Sequence, residues 1–500
     1  MYLLGFDAGT SAIKACLLDA HSGRTLASAT SPATEMPIAA PQPGWAEQHP
    51  DLWYENLLAA TQLLRKKTNA DLRDVAAIGI AYQMHGLVLI DQQHNPLRPA
   101  ILWCDNRAVP TGKRIENDLG RDNCLQHLLN LPGNFTFSRL LWVKQNEPEL
   151  YRKTWKVLLP GDYLALRLTG KPATTASGLS EWIAWDFTAN NPAAFLFDHY
   201  DIDPQLLPDV VPTFAPQGHL THDAAQALGL KPSIPVAYRA GDQPNNALAL
   251  NVFEPGEIAA TAGTSAVVYG VSDSPACDPK NRLNTFLHLN HAPQKPRLGL
   301  LLCVNGAGCL NAWLKHNIMP PDNDYPHMNE LAAAIPPGAD GLIVLPYGNS
   351  AERTLENKNP GAAFLNLHFN THTRAHLLRA AQEGVVFALH YGIRIMHQLG
   401  LPPKTVRAAD ANMFQSPIFA AAFAATTKAT VELYDTDGAQ GAARGAGIGA
   451  GIYAARHDAF TSLTPTRTFH PDETLLQPYQ DAYRRWESAL QKHLNATTAH

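Results

Sequence analysis

The pentapeptide Ala-Gly-Thr-Ser-Ala occurs twice, at Ala8 to Ala12 and at Ala262 to Ala266, and this internal repeat constrains the fold more than any other feature. Laid over one another without a gap, Leu3 to Asp19 and Glu257 to Asp273 also match Leu4 with Ile258, Ile13 with Val267, Leu17 with Val271 and Asp19 with Asp273. Repeats this far apart point to duplicated domains rather than to a solenoid, whose periods run to about 20 to 50 residues. In each copy a β-type run turns at Gly-Thr-Ser and leaves in another apolar run, Ile13 to Leu18 or Val267 to Val271, so each reads as a β-hairpin. The plainer account is two unrelated hairpins, and the flanking matches weigh against it.

Glycine lets a turn's backbone approach a ligand closely, and successive N–H groups with short hydroxyls can donate to phosphate oxygens. Gly9, Thr10 and Ser11 in one copy and Gly263, Thr264 and Ser265 in the other are therefore candidate phosphate contacts. One site closed by two such hairpins would hold a polyphosphate from both sides. The copies differ at Asp7, which is matched by Thr261. A carboxylate beside phosphates is repulsive unless a cation intervenes, so Asp7 reads as a ligand to Mg²⁺ through water, since that ion dehydrates reluctantly. Lys14, three positions beyond Ser11, would lend positive charge nearby; the alternative is a solvated strand lysine.

Five hundred residues exceed what one hydrophobic core organises, and the repeat favours two large domains. With 17% charged residues, net charge -5 and no basic block, neither nucleic acid nor an anionic membrane is expected as the main partner. A small substrate is the better default. The first residues meet Asp7 early and lack a basic region, which reads as neither signal peptide nor membrane anchor. Six cysteines without a C-x-x-C pair suggest reduced thiols, so a cytoplasmic location is expected.

Strand-like runs at Leu3 to Phe6, Ile13 to Leu18 and Ala76 to Ala81, with a helical stretch from Trp53 to Lys67, make the first half α/β. Pro-rich punctuation from Pro204 to Pro235 marks a boundary, giving an expected first domain at 1–236 and a second at 237–462 that carries nucleotide and base. Ser416-Pro417 starts a helix to about Lys428, with serine as cap and proline at the first position, and Val431 to Tyr434 follows as a strand. Tyr479, Tyr483, Trp486, Leu490 and Leu494 form an amphipathic face, and this last segment, 463–500, is expected to return to the first domain.

Asp242, about twenty residues ahead of Gly263, is the best general-base candidate, because a phosphoryl acceptor hydroxyl needs a carboxylate to take its proton. A Gly-Asp pair alone is ordinarily a turn or helix cap. Gln83-Met84-His85-Gly86 and Trp103-Cys104-Asp105-Asn106-Arg107 each end a strand-like run and supply planar hydrogen-bonding groups with an aromatic face, as a sugar site requires. A structural His85 and a core Trp103 are the alternatives. Gly445 to Gly451 contains a G-x-G-x-x-A match that close helix packing explains equally well. No P-loop string and no zinc pattern occurs.

On Asp7 to Ser11, Gly44 to Gln48, Gln83 to Gly86, Trp103 to Arg107, Leu158 to Tyr163, Gly241-Asp242, Gly263 to Ser265 and Glu352 to Thr354, the chain resembles the FGGY family of carbohydrate kinases over nearly its whole length. The Gln-Met-His-Gly string is most typical of the xylulokinases within it. The resemblance implies an α/β, two-domain actin-like sugar kinase (ribonuclease H-like) fold, with a cleft between duplicated domains. It also implies ATP- and Mg²⁺-dependent phosphorylation of D-xylulose, with Asp242 as base and Asp7 supporting Mg²⁺. Gln83, Met84, His85, Trp103, Asp105 and Asp242 would hold the sugar. Gly9, Thr10, Ser11, Lys14, Gly263, Thr264, Ser265, Asn311, Ala409 and Asn412 would hold phosphates and nucleotide. A homodimer is left open.

Three departures stand against this pattern. Ala408-Ala409-Asp410-Ala411-Asn412 replaces the glycine-rich adenosine run, Arg239 and Ala240 replace glycines before Asp242, and Leu355 replaces a proline. The competing readings are a kinase for another ketopentose or polyol, a sugar-binding regulator that has lost catalysis, and an ATPase that uses nucleotide to change shape.

Overall fold

The computed structural model describes residues 1–497. It forms two compact units: Met1–Phe253 with Phe286–Leu298 and Thr436–Leu463, and Glu254–Thr285 with Gly299–Asp435 and Thr464 onward.

In the first unit a six-stranded sheet runs in the order Phe214–His219, Pro235–Gly241, Val75–Tyr82, Tyr2–Ala8, Ile13–Asp19, Thr25–Ser31. Tyr2–Ala8 is antiparallel to Ile13–Asp19 and parallel to Val75–Tyr82, which is parallel to Pro235–Gly241. Leu3, Leu4 and Phe6 are all buried, the continuous apolar run of a strand covered on both faces. The second unit repeats this succession within a seven-stranded sheet. Ile258–Ala262 is antiparallel to Ala266–Ser272 and parallel to Thr405–Ala409, then Thr430–Tyr434 runs parallel and Pro465–Phe469 antiparallel. The duplication seen in one pentapeptide thus extends through a whole strand order.

The helix Gly438–Gly449 lies on the first sheet. A β-carbon on Gly79 would stand 2.0 Å from the Ala442 carbonyl oxygen, so backbone meets backbone where both elements keep small residues. Close packing, rather than a dinucleotide loop, accounts for Gly445, Gly447 and Gly449, whose β-carbons would run into Tyr238, Tyr453 and the Ala237 carbonyl.

The division of the chain differs from the boundaries expected at 236 and 462. Pro235–Gly241 pairs with Val75–Tyr82, which carries Asp242 into the first unit, and 436–463 joins that unit too. Proline-rich punctuation marks loops, and a loop need not be a domain boundary. The C-terminal helix Glu473–Thr497 packs on the second unit, not the first. Tyr479, Trp486 and Leu490 join its core, and Trp486 Nε1 donates to the Val344 carbonyl at 2.9 Å. An amphipathic face states that something must cover it, without stating what. Ser416 caps the helix Pro417–Thr427 as expected, accepting from the Phe419 N–H at 3.4 Å. Among the described residues no helix is long and apolar enough to cross a membrane.

Candidate active site

Asp7 lies near the end of the strand Tyr2–Ala8, directly opposite Lys14 in the hairpin register. Its carboxylate packs against Gly438, the first residue of the helix Gly438–Gly449, where the positive end of the helix dipole favours negative charge. Asp242 opens the helix Asp242–Ala249 at the end of Pro235–Gly241. Both side chains keep partial exposure. Burial pushes Asp7 up to about 6, with Lys14 opposing and Asp437 adding to the rise. Burial, and then the charge of Asp7, push Asp242 up to about 7. Two carboxyls near neutrality that repel one another form a site that gains from a cation and can exchange a proton. Among the described residues no three His, Cys, Asp or Glu side chains converge to hold a metal on their own. Asp7 is the residue that would hold Mg²⁺ there, and a single carboxylate suits an ion that keeps several of its waters.

The first hairpin is wired to the sugar candidates. Thr10 Oγ1 donates to Gln83 Oε1 at 2.8 Å and accepts from Trp103 Nε1 at 3.0 Å. Its hydroxyl is thereby committed to the protein, and Ser11 is left as the exposed hydroxyl of the turn. Met84 is buried beneath the residue before the base: a β-carbon on Gly241 would stand 2.7 Å from Met84 Cγ. His85 sits in the left-handed region at φ 63 with Nδ1 at 2.9 Å from the Glu181 carbonyl. A non-glycine residue there persists only where its surroundings dictate it. Trp103 is 49% exposed, so it is not a core residue.

Two residues that sequence reasoning passed over hold this geometry. Arg139, fully buried, donates to the His85 carbonyl through Nη1 and to the Trp103 carbonyl at 2.8 Å through Nη2, joining both strand-end segments. Burial lowers its pKa to about 10. Glu181, 2% exposed, accepts from the Tyr82 hydroxyl at 2.6 Å, and burial drives its carboxyl well above the usual range. Asp105 corrects the expectation. It is 0% exposed, and its two oxygens accept from the Ala46 N–H at 2.6 Å and from Arg107 N–H, Nε and Nη2. The structure uses it to clamp Gly44 to Gln48 onto Trp103 to Arg107, leaving no oxygen for a sugar. Arg239 meets Asp162 at 3.1 Å with both buried, which gives the departure before Asp242 a partner in another motif.

In the second unit Gly263 and Thr264 form one end of a cavity of about 1200 Å³, whose wall also carries Asn311, Asn412, Trp313 and Asp410. Ser265 and Ala409 are not among its lining residues. The carbonyls of Gly263 and Thr264 accept from the N–H groups of Gly308 and Cys309 at 3.0 and 3.1 Å, which seats the hairpin on the helix Gly308–Asn317. Asp410 is paired: Arg467 Nε lies at 3.1 Å and Thr466 Oγ1 at 2.8 Å, and these bonds hold its carboxyl below the usual range despite some burial.

Models of the N-terminal and C-terminal domains of the FGGY family of carbohydrate kinases match residues 2–249 and 258–454. The chain is 33% identical to a xylulose kinase of Escherichia coli over 81% of each chain. It is 30% identical to one of Bacillus subtilis over 81% of this chain and 79% of that one. A xylulose kinase structure from Rhodospirillum rubrum superposes with TM-score 0.86 at 25% identity, covering 100% of both chains. A glycerol kinase structure from Plasmodium falciparum, with TM-score 0.86 at 19% identity over 99% of this chain and 98% of that one, shows the same fold. With two family models accounting for most of its length and the same strand order in both units, the chain belongs to the FGGY family of carbohydrate kinases.

Proposed function

We propose that this carbohydrate kinase transfers the γ-phosphoryl group of ATP to D-xylulose, giving D-xylulose 5-phosphate and ADP. The observation that carries the reading is Asp242, a partly exposed carboxyl raised to about 7 and bordered by Asp7 and the Met84–His85 segment. The relatives named xylulose kinase supply the sugar. As the sugar's terminal hydroxyl oxygen attacks the γ-phosphorus, its proton passes to Asp242 and the bond to the bridging oxygen of ADP breaks. Gln83, Met84, His85 and Trp103 orient the sugar; Asp105 acts behind them as a clamp. Gly9, Ser11, Lys14, Gly263 and Thr264 meet phosphates, and Asn311 and Asn412 meet the nucleoside. Asp7 would hold Mg²⁺, which when bound would supply neutralisation of phosphate charge.

A coupled ADP-release assay across ketopentoses and polyols tests the reading. D-xylulose is expected to give the highest kcat/KM, and a higher value for ribulose or glycerol would overturn it.

A further inference from the structure

The wall of the cavity in the second unit also carries three polar side chains from outside the two Gly-Thr-Ser hairpins. Ser416 and Gln382, each 3% exposed, and half-buried Asn329 line it and are joined in series. Ser416 Oγ donates to Gln382 Oε1 at 2.8 Å, and Gln382 Nε2 donates to Asn329 Oδ1 at 2.9 Å. The direction of the relay is set at Ser416. Ser416 Oγ already accepts the Phe419 N–H as a helix cap, so its proton is free for Gln382. The Gln382 carbonyl then faces Ser416, its amide nitrogen faces Asn329, and the Asn329 carbonyl is turned toward Gln382. At the other end of the relay stands the amide nitrogen of the cavity-lining Asn329, a donor without acceptor character. Trp313, 47% exposed, offers an aromatic face in the same cavity.

We propose that Asn329, held by Gln382 and Ser416, reads the nucleobase by donating a hydrogen bond to a ring nitrogen of the purine. The proposal rests on the reading above that this cavity holds the nucleotide. Its chemistry is selective because the relay fixes the polarity of the amide: a base presenting an N–H at that edge meets a donor and leaves both groups unpaired. A relay that merely ties Pro417–Thr427 to Arg374–Gln398 would support the fold and leave base choice untouched.

The test uses the full-length protein with ATP, 1-deaza-ATP and 7-deaza-ATP, each lacking one ring-nitrogen acceptor. Wild-type protein is expected to bind one analogue about tenfold more weakly than ATP by calorimetry, within the range for leaving a buried donor unpaired. Asn329→Ala should weaken ATP by a similar factor and bind that analogue and ATP alike. Gln382→Met, which cuts the relay behind Asn329, should reduce the same discrimination between ATP and that analogue. Equal binding of ATP and both analogues by wild type, or unchanged discrimination in Asn329→Ala, overturns the inference alone. Failure of any triphosphate to bind overturns the nucleotide reading with it.

Discussion

A β-carbon on Gly438 would stand 2.2 Å from Oδ2 of Asp7, so the carboxylate occupies space that only glycine leaves open. Gly438→Ala must displace either Asp7 or the start of the helix that crosses the first sheet. A 1 Å misplacement of a catalytic group costs on the order of 10²-fold in rate. The variant is expected to lose kcat by about tenfold to a hundredfold and to need more Mg²⁺ for half-maximal rate, with the KM for sugar little changed. Steady-state kinetics over a Mg²⁺ titration checks this, and an unaltered Mg²⁺ dependence would separate Gly438 from Asp7.

Asp242→Ala removes the proposed proton acceptor and leaves Met84 and His85 unchanged. The rate should fall by at least ~10²-fold, the order of a general base's contribution, while calorimetry still detects D-xylulose. Turnover near wild type would assign the base elsewhere.

The two carboxyls also set a pH dependence. Asp242 is raised to about 7, and as the proposed base it can accept a proton only when ionised, so kcat/KM should rise with pH through an acid limb near neutrality. The negative charge of Asp7 contributes to that rise. Residual activity of Asp7→Asn should accordingly show its acid limb at lower pH, because removing a like charge lowers the pKa of its neighbour. A limb that stays in place or moves upward would show that the two carboxyls do not sense each other.

The two hairpins and the strand-end positions of Asp242 and of the Met84–His85 segment were legible because each is local: a short string fixes its own turn or strand end. Asp105 was misread for a related reason. A carboxylate at a strand end looks alike whether it faces a ligand or the protein, and only its four donors decide. Arg139 and Glu181 act on His85 from 54 and 96 residues away in sequence, and no spacing rule joins them. The relay from Ser416 through Gln382 to Asn329 was invisible for the same reason, being assembled from three helical segments. The C-terminal helix shows the limit of periodicity, which fixed the face and left its partner open.

Where the family carries a glycine-rich adenosine run, this chain has Asp410 paired with Arg467, and both line the cavity. Charge decides the outcome of breaking the pair. Asp410→Ala frees a guanidinium toward a polyanionic ligand and is expected to lower the KM for ATP by about threefold. Arg467→Ala leaves an unpaired carboxylate and should raise it by a similar or larger factor. The effects are expected to shrink at high salt, since both groups are partly exposed. Changes of the same sign in both variants would mean that the pair acts through packing.

Glu352 couples protonation to the stability of the second unit. It is 0% exposed, its oxygens accept from the Asn305 N–H at 2.9 and 3.2 Å, and burial pushes it up from 4.5 to about 8. Asn305 begins the loop that leads to Gly308 and Cys309, whose N–H groups hold the second Gly-Thr-Ser hairpin. Between pH 4.5 and about 8 the folded chain retains a proton that the unfolded chain releases. Its stabilising effect is therefore complete below the unfolded value and is lost as pH rises through the folded one. Glu352→Gln keeps the shape and an acceptor for Asn305 without the titration. Melting curves taken from about pH 5 to about pH 8 should show a steeper fall in midpoint for wild type than for Glu352→Gln, the curves diverging by a few degrees toward the alkaline end. Asp7 and Asp242, also raised, give both proteins a shared downward slope, so it is the difference between the curves that reports Glu352. Parallel curves would mean that Glu352 is ionised throughout and that the loop behind the hairpin tolerates a buried charge.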